Sequence, residues 1–176
     1  MLAWAALIGT GVLVAATLWA FAREPILRRV YGDVPRLEFS TDLDKPLEFR
    51  ARIIDKRNYW LDLLVYYDNK DQRAAVEQIV GRYRGSEKTP ADYGLPTQFH
   101  VVIRDENGRI IRDENRTVVG MNGFTANYRV RRIDEFILGR GIYFIQVTPI
   151  GDFSAFRAFP TAFELTSNPK ATPIRD

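Results

Sequence analysis

The sequence predicts a mainly β protein: an antiparallel β-sandwich (Ig-like) with one inserted α-helix, preceded by an N-terminal transmembrane helix. Apolar and polar residues alternate in short segments from about Val34 onward, for example in residues 47–53 (LEFRARI), which is the pattern of half-buried strands. Seven or eight such strands with regular turns bury their alternating faces most simply by packing as two sheets. One internal segment instead has helical periodicity, and residues 2–21 form a long run without a charge.

The uncharged run at residues 2–21 is long enough to cross a membrane. As a helix it would span about 30 Å, the thickness of a bilayer's hydrocarbon core, with Trp4 and Trp19 near the two interfaces. We therefore predict a transmembrane anchor over residues 1–22. A secretory signal peptide is the alternative because residues 20–22 (AFA) resemble a cleavage site, although no basic residue precedes the run.

The remaining boundaries follow from composition. Residues 23–33 are predicted to be a juxtamembrane linker, residues 34–167 the β-sandwich domain and residues 168–176 a polar tail. The basic residues follow the apolar run, as at Arg28 and Arg29, and by the positive-inside rule they would place the domain in the cytoplasm. Long domains cross membranes despite such charges, so the residues leave both orientations open.

The aromatic segment at residues 58–67 (NYWLDLLVYY) is predicted to be a central strand buried on both faces, with Asp62 as the exception. Further along, Phe99, Val101 and Ile103 alternate with polar residues, and Asn107-Gly108 is a strong signal for a tight hairpin. The predicted core residues are Phe49, Ile53, Trp60, Leu63, Val65, Val101, Ile103, Tyr128, Tyr143, Ile145 and Val147.

A helix is predicted between two strands, starting after Asn69, which suits an N-cap with Gln72 three residues later. Its apolar face consists of Val76, Ile79, Val80 and Tyr83. Arg82 and Arg84 are expected in the last turn, where cations complement the helix dipole, and Gly85 is expected to end the helix.

Two further patterns predict where polar side chains point. The pentapeptide IRDEN occurs at residues 103–107 and 111–115, and the copies are interpreted as two solvated turns flanking a short strand. In a strand at residues 124–132, alternation predicts that Arg129 and Arg131 face outward. The residues predicted to face inward are Phe124, Ala126, Tyr128 and Val130.

The composition excludes several kinds of site. The chain has no cysteine, so it cannot hold a disulfide, a thiolate zinc site or a lipidated cysteine. Its 25 basic and 22 acidic residues give a net charge of +3, which is too even to indicate nucleic-acid binding. The patch of Arg129, Arg131 and Arg132 is expected to be a solvated strand face, and no nucleotide fingerprint is present. We therefore predict no cofactor and no nucleic-acid partner.

Catalytic and metal sites receive little support. His100 is the only histidine, and its alternation with Phe99 and Val101 points it away from the core, without a nucleophile motif beside it. Residues 105–108 (DENG) carry part of a calcium-loop pattern, but their spacing fits a hairpin tip better. The chain is therefore predicted not to be an enzyme and to bind no metal.

The candidate binding site is the segment at residues 150–160 (IGDFSAFRAFP). Phe153, Phe156 and Phe159 recur every three residues in a stretch rich in loop-forming residues, and Arg157 stands among them. Exposed aromatic and arginine side chains are typical of protein interfaces. The alternative is that these rings close the open end of the sandwich core.

Several segments together carry a family resemblance. They are, in chain order, LEFRARI, YWLDLLVYY, AAVEQIVGRYRG, FHVVIRDENG, GMNGF, LGRGIYFIQV and FELTSNPKATPI, within about residues 36–174. The chain resembles a family of small bacterial exported β-sandwich domains of unassigned function, many of them lipoproteins. It departs from that pattern at the anchor, which lacks the lipidated cysteine.

The resemblance implies a periplasmic domain on a single-pass inner-membrane anchor. It also implies an immunity role, because such domains are similar to those found beside antibacterial toxin systems. We accordingly expect a membrane-tethered, non-catalytic protein-binding domain with a toxin as the implied partner. The alternative is a carbohydrate or cell-envelope polymer-binding module, in which Tyr66, Tyr67 and Tyr93 would stack on sugar rings.

Overall fold

A computed structural model describes residues 37–82 and 89–167, which form nine strands and one α-helix. In chain order these are β1 (Leu37–Thr41), β2 (Leu47–Ile53), β3 (Arg57–Tyr66), α1 (Lys70–Val80), β4 (Thr97–Asp105), β5 (Ile110–Val118), β6 (Gly123–Phe124), β7 (Tyr128–Leu138), β8 (Gly141–Ile150) and β9 (Thr161–Ser167). The predicted mainly β fold with two antiparallel sheets and one helix is confirmed.

The predicted anchor, linker and polar tail lie outside the described residues. Among the residues that are described, no helix is both long and apolar enough to span a bilayer.

The first sheet has the strand order β1-β9-β3-β7-β6, and the second has the order β2-β8-β4-β5. Strand β3 lies inside the first sheet, paired with β7 on one side and β9 on the other. The prediction of a central strand buried on both faces is confirmed for Leu61 to Val65, all of which are buried. Asp62, the predicted exception, is a correction, because it is buried and pairs with Arg132 at 3.0 Å.

The core lies between the two sheets and contains most of the residues predicted for it. Trp60, Tyr128 and Tyr143 are corrections, because each is only half-buried. Trp60 lies on the outer face of the first sheet, where the Arg132 guanidinium stacks 3.6 Å from the ring centroid. Tyr143 packs at the margin of the core and donates a hydrogen bond from its hydroxyl to the carbonyl of Gly139.

Helix α1 begins as predicted and ends earlier than predicted. The Asn69 side chain accepts hydrogen bonds from the backbone N–H groups of Asp71 and Gln72, which confirms the N-cap. The helix stops at Val80 because Gly81 adopts a φ of +106°, so the expected extension past Arg82 is wrong. Residues 83–85 of the predicted helix lie outside the described residues.

The hairpin predicted at Asn107-Gly108 joins β4 to β5 and is confirmed, with Gly108 at a φ of +80°. The second copy of the IRDEN pentapeptide, at residues 111–115, lies inside β5 and not in a turn. Strand β5 forms an edge of the second sheet, where charged side chains are common because they discourage pairing with another chain. Polar composition alone therefore misplaced this segment.

Candidate functional site

Strand β7 carries Arg129 and Arg131 on the opposite face from the one predicted, so these two do not form a solvated basic patch with Arg132. Arg129 and Arg131 point inward and are buried, whereas Phe124 is exposed. Arg131 lies opposite Leu63 of β3, which belongs to the core. The prediction was wrong because it ended the strand at residue 132. The strand continues through buried Ile133, which shares the parity of the two arginines.

The guanidinium of Arg131 is fully buried and donates hydrogen bonds to five neutral oxygens. The acceptors are the carbonyls of Ile79 (2.8 Å), Val80 (2.7 Å), Leu95 (2.7 Å) and Gly120 (3.2 Å) and the hydroxyl of Thr97 (3.1 Å). One side chain thus joins the end of the helix, the loop before β4 and the loop after β5.

Burial determines the electrostatics of this arginine. Loss of water lowers the pKa of Arg131 to about 10, so the group still carries its charge at neutral pH. The carbonyls of Ile79 and Val80 are at the negative end of the helix dipole, where a cation is stabilised. Arg131 therefore supplies from β7 the cationic cap that was expected from Arg82 and Arg84.

Two glycines let the same backbone segments come into contact. A Cβ atom on Gly81 would lie 2.7 Å from the carbonyl oxygen of Asp92, and one on Gly94 would lie 2.3 Å from that of Ile79. Both glycines have positive φ angles, +106° and +64°. We call Arg131 together with residues 79–81, residues 92–95 and Gly120 the arginine junction.

A second buried arginine on β7, Arg129, contacts helix α1 beside the arginine junction. Arg129 donates from Nη2 to the Glu77 carboxylate at 2.6 Å, and its Nη1 donates to the Tyr67 hydroxyl. Burial alone would raise the pKa of Glu77, but hydrogen bonds from Arg129 and Arg73 hold it below its ordinary value. This ion pair fastens the helix to β7.

The outer side of the arginine junction is apolar. Tyr93, Leu95 and Val119 are 40%, 47% and 50% exposed, and we call these three side chains the junction surface. The backbone N–H of Gly120, which follows Val119, donates to the carbonyl of Tyr93 at 2.7 Å. A depression of about 360 Å³ lies beside Leu95 and is lined by Gln78, Arg82, Asp92 and Gly94.

Comparison with known proteins identifies the family of the sandwich. A family described as a domain of unknown function (DUF5625) matches residues 42–167. The chain belongs to the DUF5625 family. Its fold is also similar to a crystal structure of a protein from Sulfurospirillum deleyianum, with a TM-score of 0.63 and 16% identity, over 77% of this chain and 99% of that one. No curated protein matches the chain.

The phenylalanine loop of this DUF5625 domain closes the core. Phe153 and Phe156 are only 4% and 2% exposed, and Phe153 packs 5.2 Å from Phe99 between ring centroids. Phe159 is half-buried against the same cluster. The expectation of exposed rings is corrected accordingly, in favour of the alternative in which the rings close the sandwich. Arg157 is exposed and pairs with Asp44 at 3.0 Å.

The other predicted site residues of the DUF5625 domain are dispersed. The His100 Nε2 atom lies 2.7 Å from a carboxylate oxygen of Asp113 on β5. Tyr67 is buried beside Arg129, Tyr66 is half-buried and Tyr93 belongs to the junction surface, so the three tyrosines form no exposed row. Within residues 37–82 and 89–167, no cluster of three or more histidine or acidic side chains could hold a metal ion.

Sequence reasoning missed the arginine junction because its partners are distant along the chain. Arg131 and Val80 are separated by 51 positions, and four of the five acceptors are backbone carbonyls, which any residue supplies. The alternation along the strand did hold a signal, because Arg129, Arg131 and Ile133 are spaced two residues apart. Three residues two apart on one strand share a face, and an isoleucine among them indicates the inner one.

Proposed function

We propose that this chain is a membrane-tethered, non-catalytic protein-binding domain whose contact surface is the junction surface. One observation carries the proposal: three exposed apolar side chains stand on backbone segments that Arg131 holds together through five hydrogen bonds. An apolar surface that is already rigid loses little conformational entropy when a partner binds. Exposed apolar groups on a loop that is held in place by hydrogen bonds are also typical of interaction sites.

The sequence supports the cellular setting of this proposal. The uncharged run at residues 2–21 supports a single-pass anchor in the inner membrane. The resemblance to small exported domains supports a periplasmic orientation, with an antibacterial effector as the protein that the domain neutralises. Such an immunity role requires binding and no catalytic group.

An affinity pull-down tests this function. The full, tagged chain in neutral detergent is used to capture proteins from an extract of the native cells. The test variants are Leu95→Ser and Val119→Thr, and the matched control is Ile137→Ser, because Ile137 is an exposed aliphatic residue on β7. We expect the parent and the control to capture the same protein, and the two test variants to lose most of it. Equal capture by all four proteins, or capture of no protein by the parent, would contradict the proposal.

A further inference from the structure

The outer face of the second sheet carries a phenylalanine between two arginines. Phe144 of β8 lies opposite Arg50 of β2 on one side and opposite Arg104 of β4 on the other. Side chains at directly opposite positions of antiparallel strands are about 5 Å apart at Cβ, so the three groups are neighbours. Ile145, the next residue, points into the core, which places Phe144 on the outer face.

Two more side chains extend this row. Arg52 follows Arg50 by two positions and shares its face, and Ile110 of the edge strand β5 lies opposite Arg104. Phe144 and Ile110 are 37% and 55% exposed. We call these five side chains the arginine face: Arg50, Arg52, Arg104, Ile110 and Phe144.

The arginine face has the composition of a protein interface. Aromatic residues and arginine are enriched at interface centres, because an arginine stacks on rings and binds carboxylates through two parallel hydrogen bonds. Three guanidiniums stand on this face, and Glu48 lies 3.9 Å from Arg104 without neutralising the other two. The excess of arginine over carboxylate around Phe144 favours an anionic partner.

The charge pattern favours an acidic protein over an anionic membrane. The same sheet face carries Glu48 and, farther along, Asp113 beside His100. A bilayer rich in anionic lipid repels such carboxylates along its whole surface. A folded partner can place carboxylates against the arginines and hydrogen-bond donors against Glu48 and Asp113, which also sets the register of binding.

We infer that the arginine face is a second interaction surface, separate from the junction surface, which binds an acidic protein segment. Arginine fixes the carboxylates of that segment, and Phe144 and Ile110 cover its apolar side chains. This inference does not depend on the function proposed for the junction surface, because none of its five residues belongs to the arginine junction.

Fluorescence anisotropy tests it with the full chain in neutral detergent and a labelled peptide of glutamate and alanine as the probe. The test variants are Arg50→Gln/Arg104→Gln and Phe144→Ala. The control, Arg109→Gln/Arg140→Gln, removes two exposed loop arginines and the same net charge. We expect about a tenfold loss of affinity for the first variant, a smaller loss for Phe144→Ala and almost none for the control.

Several results would overturn the inference. Equal losses in the arginine variant and its control would show that net charge alone attracts the peptide. Absence of peptide binding to the parent would also contradict it. A parallel sedimentation arm uses phosphatidylcholine vesicles with phosphatidylglycerol, and binding to these vesicles that depends on Arg50 and Arg104 would assign the face to membranes instead. Thermal unfolding of each variant confirms that the fold is retained.

Discussion

Arg131 donates a hydrogen bond of 2.7 Å to the carbonyl oxygen of Val80, the last residue of the only α-helix among the described residues. A side chain from the middle of β7 thus ends a helix that lies 51 positions earlier in the chain. The guanidinium donates to four further oxygens. It therefore joins the end of the helix, the loop before β4 and the loop after β5.

Replacement of Arg131 by methionine should destabilise the domain strongly. The variant keeps part of the apolar stem and leaves buried carbonyls without donors, at a cost of about 3 to 5 kcal/mol in the free energy of unfolding. Denaturant unfolding of the full chain in neutral detergent measures the change. Arg109→Met is the control, because that arginine is exposed in a hairpin. A loss no larger than the control's would contradict the role given to Arg131.

Replacement of Gly94 by alanine should cost far more than replacement of Gly108. Both glycines have positive φ, at +64° and +80°, so both substitutions introduce backbone strain of about 1 kcal/mol. A Cβ atom at Gly94 also meets the Ile79 carbonyl at 2.3 Å, whereas one at Gly108 meets no atom within 4 Å. Thermal unfolding compares the two variants, and equal melting temperatures would refute the close approach in the arginine junction.

Glu77 should make stability depend on acidic pH. Its pKa is lowered from 4.5 in the folded protein, so its contribution is complete above that value and is lost as the pH falls through the folded pKa. Glu77→Gln should cost about 1 to 2 kcal/mol at neutral pH. The difference in the free energy of unfolding between Glu77→Gln and the parent should narrow as the pH is lowered from neutral to below 4.5. Denaturant unfolding measured across this pH range checks the sign. A difference in the free energy of unfolding that widens toward acidic pH would contradict the prediction.

Two neighbours in the phenylalanine loop should behave in opposite ways. Phe156→Ala removes a buried ring from the core and should destabilise the domain by about 3 to 4 kcal/mol. Arg157→Ala removes an exposed ion pair with Asp44 and should change stability by less than about 1 kcal/mol. Denaturant midpoints compare the variants. If Phe156→Ala destabilises the domain no more than Arg157→Ala does, the ring does not belong to the core and the loop is a candidate contact surface.

The features that the sequence predicted correctly depend on local chemistry. Asn69 caps the helix through its own side chain, and Asn107-Gly108 forms a hairpin because of its own backbone preferences. The alternating segments also located most of the core, because two sheets must bury one face of each strand.

The features that it missed depend on distant partners. An arginine on a strand ordinarily faces water, and burial of Arg131 is favourable because it donates to the carbonyls of residues 79, 80, 95 and 120 and to the Thr97 hydroxyl. The end of the helix was predicted wrongly for the same reason, because the cation that caps it, Arg131, comes from β7. The phenylalanine loop was ambiguous because an aromatic repeat in a loop suits a core lid and a contact surface equally.

Site-specific photo-crosslinking in the native cells tests the central claim, protein binding at the junction surface, most directly. The full chain carries benzoylphenylalanine in place of Leu95 in one variant and of Ile137 in the other, both exposed aliphatic positions. We predict that irradiation links a discrete protein partner to the chain at Leu95 and not at Ile137. Absence of a crosslink at Leu95, or the same products at both positions, would contradict the claim.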